Sequence, residues 1–241
     1  MNRRIFCFWT GTNEMPENRR RGLESLRANS GCDVELITAG DVAAFVRAAD
    51  LHPAYPFLNL AHRADFLRCH AMLRHGGGYA DIKPHHASWL PAFDLLERDE
   101  RLMAVGYGEP GDGAISNMYS SSRELGEPLH RQARAWLHRK WLQAQYPYLI
   151  GCCAFVFRPD TPFVRAWWSE MNRRLDALLP ALRENPARLP KERPGDMIDG
   201  MPSRYPVPWT HVFGDIFHPL TGRYRQRLST SLPPPDFHDY E

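Results

Sequence analysis

Apolar residues along the chain come in short runs broken by polar or glycine- and proline-bearing stretches, and the spacing within each run sets the element it can form. Residues 3–11, RRIFCFWTG, hold a β-branched and aromatic run stopped by Gly11, which predicts a buried first strand. The polar stretch MPENRRRGLESLRANSG predicts a helix between Pro16 and Gly31, and DVELIT over 33–38 a second strand. Strand, helix and strand in that order begin a βαβ unit. From Leu60 the apolar positions Leu60, Ala64, Leu67 and Ala71 recur three and four apart, predicting a helix with one buried face that stops near Gly76. Asp65 and Arg68, three apart, project from neighbouring points on one side of it. The stretch GGYADI, 77–82, then returns as a strand.

Two further runs, RLMAVGYG over 101–108 and LIGCCAFVFRP over 149–159, predict central strands because they are almost continuously apolar. Asp160, Thr161 and Pro162 predict a capped helix start, leading into a long helix with Phe163, Trp167, Met171, Leu175 and Leu178 on one face. Trp167 and Trp168 are assigned to the core. Residues 124–145 predict another helix, with Arg131, Arg134, His138, Arg139 and Lys140 among its polar positions. Such a face is either simply solvated or meets anionic lipid or a phosphorylated acceptor. The proline-rich residues 184–210 predict irregular loop. The expected organisation is one α/β domain over 1–230 and a loose tail over 231–241.

Composition narrows the function classes. A hydrophobic share of 43% and a charged share of 24% exclude disorder for most of the chain. A formal net charge of +2 gives no bulk attraction for nucleic acid, so any basic function is local. The five cysteines are odd in number and Cys152 and Cys153 are adjacent, which argues against a disulfide framework and for a reducing, cytoplasmic setting. The opening residues hold too few apolar side chains for a signal-peptide core, and no run approaches the roughly 20 apolar residues of a membrane span. Membrane contact is therefore expected to be peripheral at most, on the inner face.

The chemistry concentrates where the helix from Leu60 meets three glycines and a short strand. Glycine frees the backbone for a sharp turn or a close approach to a ligand. In open α/β sheets ligands sit beyond the carboxyl ends of strands, so Asp81 is expected to point into that crevice, where it can hold a cation or sugar hydroxyls. His85 and His86 are adjacent, a poor spacing for one metal ion, and no HExxH or CxxC partner accompanies them. No GxSxG, GxxxxGK[ST] or GxGxxG fingerprint occurs, which weakens the hydrolase, NTPase and dehydrogenase readings.

Residues 64–83, ADFLRCHAMLRHGGGYADIK, follow without a gap the pattern (S/A)DxxRxxxLxxxGGxYxDxD. By that segment the chain resembles nucleotide-sugar-dependent glycosyltransferases of the GT-A fold with a DXD-type sugar-binding region. The likeness is to the capsular polysaccharide and α-mannosyltransferase-like group, and more distantly to the large glucosylating toxins. The resemblance implies a Rossmann-like, mostly parallel mixed sheet flanked by helices. It also implies sugar transfer from a UDP- or GDP-sugar to a saccharide or lipid-linked acceptor, with retention of configuration, in surface polysaccharide or glycoconjugate synthesis.

In such a protein Asp65 and Arg68 hold the donor sugar, Tyr79 lies beside the nucleotide and Asp81 is the first acid of the DXD. Gly77 and Gly78 belong to the same donor-binding segment. Phe8, Trp9 and Thr10 match the family's first strand, whose tryptophan stacks on the base. Trp209 and His211, in YPVPWTHVFGDIFHPL over 205–220, match a closing segment over the diphosphate. Lys83 stands where the family has a second aspartate that ligates manganese or magnesium. The metal expected at Asp81, with His211 as a second ligand, is thereby replaced or weakened, with the lysine ammonium within reach of the phosphates. A non-catalytic nucleotide-sugar-binding descendant of such a transferase is the alternative.

Overall fold

The computed structural model describes residues 2–238. Its strands and helices are β1 (Arg4–Trp9), α1 (Glu17–Asn29), β2 (Asp33–Thr38), α2 (Val42–Phe45), α3 (Leu60–Arg74), β3 (Gly77–Ala80), α4 (Leu90–Arg98) and β4 (Ala104–Gly108). They continue as α5 (Met118–Glu124), α6 (Leu129–Gln143), β5 (Ile150–Phe157), α7 (Pro162–Glu184), β6 (Met197–Ile198), β7 (Met201–Pro202), α8 (Gly214–Tyr224) and β8 (Leu228–Ser229). Six strands form one sheet in the order β2-β1-β3-β5-β4-β8. All neighbouring pairs are parallel except those of β5, which runs antiparallel to both β3 and β4. The mixed, mostly parallel sheet flanked by helices is the architecture the sequence led us to expect.

Alternation along β1 builds a core on each side of this sheet. Phe6 and Phe8 pack with residues of α3, α7 and α8 such as Phe66, Trp167 and Phe217. Ile5 and Cys7 pack on the other side with Leu26 of α1 and Phe93 of α4. Helix α7 starts as expected, with Thr161 as its N-cap and Pro162 in the first turn, and Trp167 is fully buried. Helix α3 departs from the expected single apolar face. It is enclosed around most of its circumference, and His62, Asp65, Arg68 and His70 are buried with the apolar positions.

The three glycines are explained by packing. Gly76 and Gly77 have φ of +61° and +82°, where a side chain is strained. A Cβ on Gly78 would lie 2.9 Å from Ile5 and 3.1 Å from Trp89. They let β3 leave α3 abruptly and enter the sheet between β1 and β5.

The helix expected over 124–145 is the shorter α6, Leu129–Gln143, and before it only Glu124, the last residue of α5, is helical. Gly126 has φ of +65° and Pro128 occupies the N-cap of α6, so the chain breaks between α5 and α6. Residues 184–210 are irregular apart from the β6–β7 hairpin. Of the segment expected as a tail, residues 239–241 lie outside the described residues, and those before them make specific contacts. Ser231 bridges to Tyr107, the Leu232 N–H donates to the Gly106 carbonyl over 3.0 Å, and Leu232 is buried.

Candidate active site

Because β1 and β3 are parallel, their carboxyl ends open at the same edge of the sheet. Because β5 is antiparallel, its opposite end, with Cys152 and Cys153, arrives there too. The Asp81 N–H donates to the Cys153 carbonyl over 2.7 Å and fixes the backbone just beyond β3. Helix α3 lies across this edge, tied to the loop after β1 by the Thr10 hydroxyl, which donates to the Leu60 carbonyl over 2.7 Å. The elements enclose a cavity of about 640 Å³, within the usual range for small-molecule sites.

Arg68 is the hub of its wall. The guanidinium lies between two rings, 4.3 Å from the centroid of Tyr79 and 4.4 Å from that of Phe213. It also donates to the Cys152 carbonyl over 3.1 Å and stands 3.1 Å from Asp65 Oδ1 and 3.6 Å from Asp81 Oδ1. Burial opposes its charge, but Tyr79, Asp65 and Asp81 together hold it more firmly charged than an ordinary arginine. The stacked planar fork is a use of arginine that lysine cannot reproduce.

The two carboxyl groups beside it are driven apart. Burial pushes Asp65 up to about 7, with Arg68 pulling down and the Asp81 charge pushing further up. Burial also raises Asp81, yet Lys83 and Arg68, with the Tyr79 hydroxyl donating to Oδ1 over 2.5 Å, hold it at about 2. The cavity therefore offers one carboxyl that carries a proton through mildly acidic conditions and one that is ionised throughout. The first can donate a hydrogen bond to a ligand and the second can only accept.

The residues singled out from the sequence are placed as follows. Phe8, Trp9, Thr10, Asp65, Arg68, Tyr79, Asp81 and Trp209 line the cavity. Phe8 stacks on Tyr79 at 5.9 Å and supports it. Trp9 is held by its indole N–H, which donates to the Asn13 carbonyl over 2.9 Å. Gly77, Gly78, Lys83 and His211 are not among the lining residues. The glycines act in strand packing. Lys83 is buried and directs its ammonium to Asp81 Oδ2 at 3.1 Å and Cys153 Sγ at 3.0 Å, which differs from the expectation that it would reach a ligand's phosphates. His211 turns its Nδ1 toward Arg174 at 3.4 Å, and burial pushes its pKa down to about 3.

Several lining residues were not singled out in advance: Asn18 and Arg19 from α1, Lys191 from the proline-rich loop, Cys152, Phe213 and His218. Glu109, Cys152 and His218 form a cluster with donor atoms within 4.8 Å of one another, the one such group of potential metal ligands among the described residues. It does not suit a metal. The Ser116 N–H donates to His218 Nδ1 over 3.0 Å, so the ring proton sits on Nε2, 2.9 Å from Glu109 Oε1. A metal at Nε2 would leave the imidazole with no proton at all. Burial and the neighbouring Glu109 also raise the Cys152 pKa well above its usual value, so in the metal-free protein it is a thiol.

Asp81 fits manganese or magnesium no better. The carboxylate already faces the cations of Lys83 and Arg68, with which a divalent ion would have to compete.

No family model matches the chain, and no curated protein matches it. Among solved structures it is similar to one described as "PaToxG Glycosyltransferase", at 10% identity and a TM-score of 0.45, over 92% of this chain and 69% of that one.

Proposed function

We propose that the protein is a glycosyltransferase that binds a nucleotide-diphosphate sugar in this cavity and passes the sugar to a saccharide or lipid-linked acceptor. The observation that carries the reading is a convergence. Trp9, Asp65, Arg68, Tyr79 and Asp81, which come from three separate elements, line one cavity. They are also the residues that match the donor-binding pattern of GT-A transferases.

In this reading Trp9 stacks on the base, while Asp65 and Asp81 bond sugar or ribose hydroxyls from opposite protonation states. Arg68 fixes both carboxyl groups and presents a desolvated positive charge. Arg19 and Lys191, also on the cavity wall, supply the cations nearest a diphosphate. In the transfer, the bond between the anomeric carbon and the phosphate oxygen breaks and the nucleotide diphosphate leaves with the electron pair. The acceptor oxygen bonds to the anomeric carbon and its proton passes to the departing phosphate. Positioning and the fixed charges lower the barrier, with no protein nucleophile required. Retention of configuration and a role in surface polysaccharide or glycoconjugate synthesis belong to the same proposal.

A thermal-shift series with UDP- and GDP-sugars, followed by donor hydrolysis, tests it. Selective stabilisation with measurable hydrolysis is expected, because a ligand that binds only the folded state raises its stability. Stabilisation without turnover, even with offered acceptors, would favour the non-catalytic binding protein. A chain that no nucleotide or nucleotide sugar stabilises would overturn the reading.

A further inference from the structure

Helix α6 is turned inside out. Only Leu142 of its 15 residues is buried. Its large apolar side chains face solvent instead: Leu129 is 81% exposed, Leu137 61%, Trp136 46% and Trp141 49%. At 3.6 residues per turn, Leu129, Ala133, Trp136, Leu137 and Lys140 share one arc of about 100°, with Trp141 and Arg134 on its flank. A solvated helix face carries charges of both signs. Residues 129–143 contain Arg131, Arg134, Arg139 and Lys140 and no carboxylate. The nearest acid in sequence, Glu127, is paired with Arg131 at 3.6 Å.

We propose that α6 docks the protein on an anionic lipid surface, with Leu129, Trp136 and Leu137 entering the headgroup boundary and the cations meeting lipid phosphates. Tryptophan beside lysine and arginine, on a helix lying in the interface plane, is the composition that such surfaces select. Each cation near an anionic leaflet is drawn to it by the negative surface potential, an attraction that salt screens. A protein partner fits less well. The helix is about 22 Å long and about 10 Å wide, a face of roughly 220 Å², whereas a stable protein interface covers about 800 Å² per partner.

Helix α6 is tied to a turn that reaches the cavity wall. Near the C-terminal end of α6, Gln143 Nε2 donates to the Asp112 carbonyl over 3.1 Å, and Ala114, two residues further along that turn, lines the cavity. A helix laid on the bilayer therefore brings the cavity wall near the lipid surface. If the proposed transferase activity holds, this orientation selects a lipid-linked acceptor; lipid docking itself does not depend on that activity.

The test is co-sedimentation of the full chain with vesicles of phosphatidylcholine alone or mixed with phosphatidylglycerol. Sedimentation with the mixed vesicles only, weakened by salt, is expected. Both Trp136→Ala/Leu137→Ala and Arg134→Glu/Lys140→Glu should lower vesicle affinity at least about tenfold while keeping the thermal midpoint. Trp141 is left in place because its ring packs on Gly222. No sedimentation, or binding that both variants leave unchanged, overturns the proposal. So does a concentration-dependent dimer that the variants disrupt in the absence of lipid, which would make the occupant a second copy. Binding to a phosphorylated saccharide in solution but not to vesicles would overturn it equally.

Discussion

Lys83 Nζ lies 3.1 Å from Asp81 Oδ2, so the lysine that replaces an expected acid satisfies the neighbouring carboxylate internally. With Arg68 on the other oxygen, Asp81 sits between two cations. A divalent ion approaching it would meet a positive field. Nucleotide binding and turnover are therefore expected to survive excess EDTA. Lys83→Ala should destabilise the fold by about 3–5 kcal/mol, the usual result of stranding one member of a buried pair. Activity that vanishes in EDTA and returns with manganese in the unaltered protein would refute this account.

Asp65 gives a pH dependence with a defined sign. Its usual value of 3.8 is raised to about 7 in the folded protein. Between about pH 4 and 7 the folded state keeps a proton that the unfolded chain releases, so this group's contribution to stability is lost as pH rises through that window. At about 1.4 kcal/mol per pKa unit the effect is a few kcal/mol. Asp81 acts the other way, losing stability only as pH falls from about 4 toward 2. The buried His62 and His211, with pKa values pushed down, also favour higher pH. The Asp65 effect therefore shows best as a difference. Asp65→Asn, which mimics the protonated group, should gain stability relative to the parent as pH rises from 4 to 7. Parallel denaturation profiles over that range would return Asp65 to an ordinary carboxylate.

The sequence made the part of the site built by β1, α3 and β3 legible because its signals are local. Spacing located β1, β2, α3 and β3 to within a residue or two, and the end of β3 put Asp81 at the crevice. The direction of β5 was not legible, since an apolar run packs equally well pointing either way. That direction decides whether the Cys152 end or the Arg158 end reaches the cavity. His218, Cys152 and Glu109 meet only through tertiary packing across 109 residues of chain, and no local pattern announces them. The glycine run suits both a sharp turn and a close approach to a ligand, and the contacts of Gly78 with Ile5 and Trp89 decide for packing. Lys83 was expected to face phosphate, and only the position of Cys153 on the adjacent strand shows where its ammonium is held.

Trp9 is partly buried at the end of β1, on the cavity wall, and oriented by its bond to Asn13. In the proposed function a ring fixed in this way serves as the stacking platform for the base. Trp9→Ala should weaken nucleotide binding by about 1–3 kcal/mol, the range for loss of one base–aromatic stack. Trp9→Phe should recover part of it. Isothermal titration with UDP and GDP reads the change, and an unaltered affinity in a folded Trp9→Ala protein would make Trp9 a packing residue.

The strongest single dependence is on Arg68, because its role is both electrostatic and geometric. Its guanidinium is stacked between Tyr79 and Phe213, and its charge offsets Asp65 and Asp81. Arg68→Ala leaves both carboxyl groups without that cation and opens a gap between two rings. A loss of about 3–5 kcal/mol in stability and of turnover by orders of magnitude is expected. Loss of turnover alone would not separate catalysis from collapse, so Arg68→Lys is the informative variant. Lysine keeps the charge but cannot stack as a plane or bond Cys152 and Asp65 together. It should hold Asp81 ionised and retain most of the stability while turnover remains far below the parent. NMR titration of the Asp65 and Asp81 carboxyl carbons, read beside the kinetics, separates the two contributions. If Arg68→Lys matches the parent in both, the planar stack has no functional consequence and charge alone accounts for the residue.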